Sequence, residues 1–131
     1  MTTPSEWLVL IVEDEVDARD VVAKLLAKSQ IATHSVATAE EALELLAEYQ
    51  YNGVIIDLAL PGMDGWDLLK AIRSDEAIAH LPCFAITAYY NSSVRHQAEQ
   101  LGFDLYFPKP LSHRTFVSDV VAAISSAQQT N

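Results

Sequence analysis

Three long apolar runs in this chain carry no alternation, and each stops abruptly at a side chain capable of chemistry. Trp7-Leu8-Val9-Leu10-Ile11-Val12 ends at Glu13-Asp14, Gly53-Val54-Ile55-Ile56 ends at Asp57, and Leu81-Pro82-Cys83-Phe84-Ala85-Ile86 ends at Thr87. A shorter run, Leu105-Tyr106-Phe107, is followed by Lys109. Unbroken apolar runs suit strands covered on both faces, which are strands of parallel sheets. Side chains this far apart in sequence meet at one sheet edge only when the strands run the same way. That carboxyl edge is where open parallel sheets bind ligands.

Helical spacing fills the segments between the runs. From Glu15 to about Ser29 the residues Ala18, Val21, Val22, Leu25 and Leu26 recur as an apolar stripe. Ile31 to Ala37 alternates loosely, as a second strand would. Thr38-Ala39-Glu40-Glu41 has the form of a capping box, with Ala42, Leu45 and Leu46 behind it and Asn52-Gly53 as a closing turn. Further helices are predicted from about Trp66 to Ser74, from Ser92 to Leu101 before Gly102, and after Ser112 as its cap, carrying Phe116, Val117, Val120, Val121 and Ile124. Five strand–helix units in strict alternation require parallel pairing with right-handed crossovers and helices on both faces. The expected fold is therefore α/β: one doubly wound (βα)5 domain over residues 7–126. Residues 1–6 are expected as a disordered tail, and residues 127–131 as a frayed one.

Composition removes several function classes. Eighteen acidic residues against eight basic ones give a net charge of −10. Nucleic-acid modules carry a basic face, so direct contact with nucleic acid is not expected. The same charge disfavours an anionic membrane surface, and no apolar run reaches the roughly 20 residues of a membrane span. The N-terminus lacks the positive charge and apolar stretch of a signal sequence, which predicts a cytoplasmic protein. Cys83 is the single cysteine and lies within an apolar run, as a buried structural thiol does. His34, His80, His96 and His113 show no metal-ligand spacing.

Taken singly, each polar residue at a strand end has an ordinary explanation. Asp14 or Asp57 can cap a helix, Thr87 can close a turn, and Lys109 can be a solvated lysine. Their coincidence at one edge is different. Three carboxylates within about 5 Å repel by roughly 3 kcal/mol per pair at an effective dielectric near 20. A hard divalent cation offsets that repulsion and prefers such oxygen ligands. Together with a hydroxyl and an ammonium, the cluster makes a place for a cation and a phosphoryl group.

These residues, Glu13-Asp14, Asp57, Pro61-Gly62-Met63-Asp64-Gly65, Thr87-Ala88 and Lys109-Pro110, resemble the receiver domain of two-component response regulators over about residues 7–126. The resemblance implies a flavodoxin-like sheet of order 2-1-3-4-5, which places the first and third strands side by side. It implies Asp57 as phosphoacceptor, with Lys109 and Thr87 contacting phosphoryl oxygens. It implies Mg²⁺, with Mn²⁺ as a substitute, held by Glu13, Asp14, Asp57 and the backbone carbonyl of Ala59. Thr87 and Tyr106 would form the switch, with a cis bond before Pro110 directing Lys109 into the site. The implied phosphodonor is a sensor histidine kinase or histidine phosphotransfer protein. The implied output is a protein partner read by the fourth helix, fifth strand and fifth helix. Such a chain catalyses only its own phosphorylation and dephosphorylation.

Other classes remain to be weighed. An Asp-nucleophile phosphatase or phosphotransferase of the haloacid-dehalogenase type needs a second Asp two residues on, where this chain has Ala59. A flavodoxin-like electron carrier needs a Ser/Thr/Gly-rich phosphate loop, where Glu13-Asp14-Glu15 would repel the flavin phosphate. No effector domain is expected within the residues after the last predicted helix. A stand-alone regulator, a phosphorelay shuttle and a receiver excised from a longer chain all fit.

Overall fold

Parity along the strands decides which helices each residue meets. The computed structural model describes residues 1–129. Its elements are β1 (Leu8–Val12), α1 (Val16–Ala27), β2 (Ala32–Val36), α2 (Ala39–Glu48), β3 (Gly53–Asp57), α3 (Gly65–Ser74), β4 (Cys83–Thr87), α4 (Ser92–Leu101), β5 (Leu105–Pro108) and α5 (Phe116–Gln129). All pairings are parallel, in the order β2-β1-β3-β4-β5, as the resemblance implied. Val9, Ile11, Ile55, Phe84 and Ile86 point to one face, where Val22, Leu25 and Leu26 of α1 and Phe116, Val120 and Ile124 of α5 cover them. Their neighbours Leu10, Val12, Val54, Ile56, Cys83 and Ala85 meet α2, α3 and α4 on the other. Both faces are dry, which is why the runs do not alternate.

Caps fix where the helices begin. Thr38 accepts the Glu41 N–H (3.1 Å), Asp64 the Asp67 N–H (2.9 Å), and Asn91 the Val94 N–H (2.8 Å). Gly102 ends α4 at φ 110°, a left-handed position that glycine adopts without penalty. Arg73, on the last turn of α3, donates to the carbonyls of Ala79 (2.9 Å), Leu81 (2.7 Å) and Gly102 (2.7 Å), and pairs with Asp104 at 3.2 Å. Asp104 in turn accepts the Cys83 N–H at 2.8 Å. One guanidinium thus joins α3, the start of β4 and the end of α4.

Several expectations need correction. The tail expected as disordered over residues 1–6 contains a 3-10 turn, Pro4–Glu6. Pro4 opens the turn, Glu6 Oε1 accepts the Thr3 N–H at 3.1 Å, and Trp7, buried to 1% exposure, anchors the segment by donating its indole N–H to Thr2 Oγ1 at 2.9 Å. Thr2 also exchanges hydrogen bonds with Gln128 (3.1 and 2.7 Å). The frayed tail expected over 127–131 is helical through Gln129, and residues 130 and 131 lie outside the described residues. Ser112 does not cap α5 directly: a turn intervenes and the helix opens at Phe116, whose N–H donates to the Ser112 carbonyl (3.1 Å). Asn52 is no simple turn residue. It brackets β1, taking the Leu8 N–H on its side chain (2.9 Å) and giving its own N–H to the Leu8 carbonyl (2.8 Å). Val21, assigned to the buried stripe of α1, is 44% exposed.

Gly65 governs how closely α3 approaches the end of β3. Its N–H donates to the Leu58 carbonyl (3.2 Å), and a Cβ at this position would lie 2.4 Å from the Asp57 carbonyl oxygen. Backbone on both sides leaves nothing flexible to yield. Gly65→Ala should therefore lower stability by about 1–3 kcal/mol, the usual range for overpacking, measured as a reduced urea midpoint at unchanged slope. An unchanged midpoint would contradict this packing.

Candidate functional site

Register brings the predicted residues together. Val12 pairs with Ile56 and Asp57 with Ile86, so Glu13, Asp57 and Thr87 leave three adjacent strands at one level. Lys109 follows β5, its N–H donating to the Thr87 carbonyl at 2.8 Å, and the Lys109–Pro110 peptide is cis. Carboxylate oxygens of Glu13, Asp14 and Asp57 lie within 4.8 Å of one another. Glu13 and Asp57 are buried, whereas Asp14 faces solvent. Among the described residues this is the one cluster of potential metal ligands.

The Lys109 ammonium holds two of the three acids. Its Nζ donates to Glu13 Oε1 and to Asp57 Oδ2, the latter at 2.9 Å. The other Asp57 oxygen, Oδ1, accepts the Ala59 N–H at 2.9 Å, so backbone and ammonium together fix the carboxylate plane. Burial, then the neighbouring Asp57 carboxylate, pushes the Glu13 carboxyl up to about 7, against the opposing hydrogen bond from Lys109. Burial works to lower the Lys109 ammonium, but its bonds to Glu13 and Asp57 outweigh that, and it is raised. One cation facing three acids leaves a charge deficit, and the deficit falls on Glu13.

Thr87 is buried, and its hydroxyl accepts the Tyr89 N–H at 3.0 Å. The Tyr89 carbonyl accepts the Tyr106 hydroxyl, also at 3.0 Å. A single residue between them therefore ties Thr87 to Tyr106, whose ring packs on Tyr90 with centroids 5.2 Å apart. The sequence offered no sign of this link, because it runs through backbone atoms that any residue would supply.

A second feature missed in sequence is an apolar groove of about 290 Å³ beside Lys109, lined by Ala18, Val21 and Val22 of α1 and by Pro110 and Leu111. Val16, at the start of the same helix, is 58% exposed. The available signal was that the apolar residues of α1 span more of its circumference than one buried stripe requires. No helix among the described residues is long and apolar enough to cross a membrane.

Comparison with known proteins agrees with this architecture. Residues 9–121 match the family described as the response regulator receiver domain. The transcriptional regulatory protein GltR of Pseudomonas aeruginosa is 30% identical over 122 residues, which make up 93% of this chain and 50% of GltR. The chain thus spans about half the length of that relative. The polar-differentiation response regulator DivK of Brucella ovis is 28% identical over 119 residues, 91% of this chain and 97% of DivK. The crystal structure of a sensor protein from Polaromonas sp. JS666 superposes with a TM-score of 0.86 at 25% identity, covering 93% of this chain and 98% of that one. Since the family match runs from β1 through all five strands into α5, the chain belongs to the response regulator receiver family.

Proposed function

We propose that this protein is a phosphorylation-controlled signalling switch that accepts a phosphoryl group on Asp57 from a phosphohistidine donor. Phosphoryl acceptance is general in the family. The observation that supports Asp57 as the acceptor is its engagement at both oxygens, by the Ala59 N–H and by Lys109, in a buried acidic pocket at the sheet's carboxyl edge. An Asp57 carboxylate oxygen attacks phosphorus, the P–O bond forms as the P–N bond breaks, and the donor imidazole leaves with the bonding pair. Positioning and charge neutralisation supply the acceleration. Lys109 faces the developing charge from one side, and the Thr87 hydroxyl offers its proton from another.

The acid cluster fits a hard divalent cation, since three carboxylates face one ammonium and Glu13 is forced toward protonation. Glu13, Asp14, Asp57 and the Ala59 carbonyl would hold Mg²⁺, or Mn²⁺ in its place. When bound, such an ion supplies positive charge to the phosphoryl oxygens.

Transmission runs through Tyr89. Once the Thr87 hydroxyl turns to a phosphoryl oxygen, its bond from the Tyr89 N–H weakens. Tyr89 shifts, and its carbonyl releases the Tyr106 hydroxyl. Tyr106 then moves inward and alters the surface of α4, β5 and α5 that a partner protein reads. The groove between α1 and Leu111 opens beside Lys109, and its apolar lining suits the helix pair of a sensor kinase or phosphotransfer protein. The protein turns over no substrate beyond its own phosphoryl group, and its place is the cytoplasm. A hydrolase reading lacks an acid two residues after Asp57, where Ala59 stands.

Three outcomes are expected. Wild type should take up acid-labile label from both acetyl phosphate and a phosphohistidine protein, and Asp57→Asn should take up none. In the same assay Val21→Glu should slow transfer from the protein donor at least tenfold while leaving acetyl phosphate unaffected. Label retained by Asp57→Asn refutes the acceptor, and equal slowing with both donors refutes the groove. Beryllofluoride with Mg²⁺ should reduce the solvent accessibility of the Tyr106 ring, measured by paramagnetic relaxation, and unchanged accessibility contradicts the switch.

A further outcome concerns pH. Glu13 holds its proton up to about 7 in the folded chain, against an ordinary value of 4.5. The folded state therefore binds this proton more tightly than the unfolded one. The resulting stability is complete below about pH 4.5 and is lost as pH rises through about 7. Urea midpoints of the metal-free protein should fall across that interval, and Glu13→Gln should flatten the fall. Mg²⁺ should oppose it, because the cation requires the carboxylate. An identical slope in Glu13→Gln would contradict the assignment.

A further inference from the structure

The opposite edge of the sheet, before the start of β3, carries a separate cleft. It lies between the end of α2 and the connection from α3 to β4 and encloses about 480 Å³, a volume typical of small-ligand sites. Tyr49, Tyr51, Glu48, Ile78 and His80 are among the residues that line it. None of the chain's eight Lys and Arg residues does.

Its aromatic wall is held in place. The Tyr49 and Tyr51 ring centroids are 6.3 Å apart with planes at 58°. His34 of β2 fixes both rings. Its Nδ1 lies 2.8 Å from the Tyr51 hydroxyl, and its ring meets Tyr49 edge-on at 4.8 Å. Tyr51 is 6% exposed, whereas Tyr49 leaves 46% of its surface to solvent. Nothing in the family chemistry at Asp57 uses these rings.

Apart from the titratable rings of His34 and His80, the charge at the cleft is negative. α2 terminates at Glu48 with no basic residue in its last turn, so the negative end of its dipole lacks a counter-charge from its own sequence. The Glu48 carboxylate adds to that field. Burial first, then Tyr49 and Glu48, push the Tyr51 phenol up to about 12.

We propose that this cleft binds an organic cation, an ammonium or guanidinium head group, seated against Tyr49 and Tyr51 and paired with Glu48. Ring quadrupoles attract such groups, and aromatic surroundings desolvate an alkylammonium at less cost than a small metal ion. The head group belongs either to a free quaternary or primary amine or to a side chain of a partner protein. This site is independent of phosphorylation.

Titrations followed by ¹H–¹⁵N correlation spectra test it, with three probes at matched chloride. The probes are choline, its uncharged carbon isostere 3,3-dimethylbutan-1-ol, and N-acetyl-lysine methylamide. At least one cation should give saturable shifts at the amides of Tyr49, Tyr51 and Ile78. The isostere should bind about fivefold more weakly or not at all. Tighter choline binding assigns a free quaternary amine, and tighter binding of the lysine amide assigns a partner's lysine. Tyr49→Ala, at a half-exposed position, should weaken the cation about fivefold, and Glu48→Gln should weaken it at least twofold. Asp57→Asn should leave all of these shifts in place, which separates this site from the phosphoacceptor reading. Absence of saturable shifts, equal binding of the isostere, or indifference to both Tyr49→Ala and Glu48→Gln would overturn the proposal.

Discussion

Three carboxylates held within 4.8 Å against one ammonium are the constraint from which the rest of this structure follows. Like charges at that separation repel by several kcal/mol at protein dielectric, so no chain gathers them without a rigid frame. The frame here is a parallel sheet buried on both faces. The cost of the cluster is visible in its own groups: Glu13 is driven up toward neutrality and Lys109 is held more firmly charged. A site in this condition has a standing demand for positive charge, which is the requirement for receiving a phosphoryl group.

The frame reaches the site through close backbone contacts. Gly65 lets α3 begin directly against the Asp57 carbonyl, and the Ala59 N–H orients the Asp57 carboxylate. On the far side of the pocket Tyr89 gives its N–H to Thr87 and its carbonyl to Tyr106. The acidic edge and the surface of β5 are thereby joined through one residue. The Arg73 network holds the opposite end of α4 to α3 and to the start of β4.

Much of this was legible in the sequence because burial on both strand faces leaves an unmistakable apolar run. Glu13, Asp57 and Thr87 could be placed at one edge for the same reason: each terminates such a run. The strand order was legible only through family resemblance, since apolar runs do not say which strands are neighbours. What stayed hidden depends on geometry that composition does not encode. The Lys109 bonds to Glu13 and Asp57 require rotamers, and the Tyr89 link uses backbone atoms alone. Val21 looked buried because its spacing fits the stripe of α1, but it sits at the margin of that stripe, beside buried Val22, and faces the groove toward Leu111. The N-terminal turn had a local signal, the capping-box form of Thr3-Pro4-Ser5-Glu6, but the bonds from Thr2 to Trp7 and Gln128 that dock it on the domain had none.

Chemical trapping tests the central claim most directly. After incubation with a phosphohistidine donor and Mg²⁺, borohydride reduces an acyl phosphate to the alcohol, which converts a phosphorylated aspartate into homoserine. Tandem mass spectrometry should then find homoserine at position 57 and at no other aspartate or glutamate. Homoserine at position 14, or an unmodified position 57 in protein that carries label, would contradict the assignment.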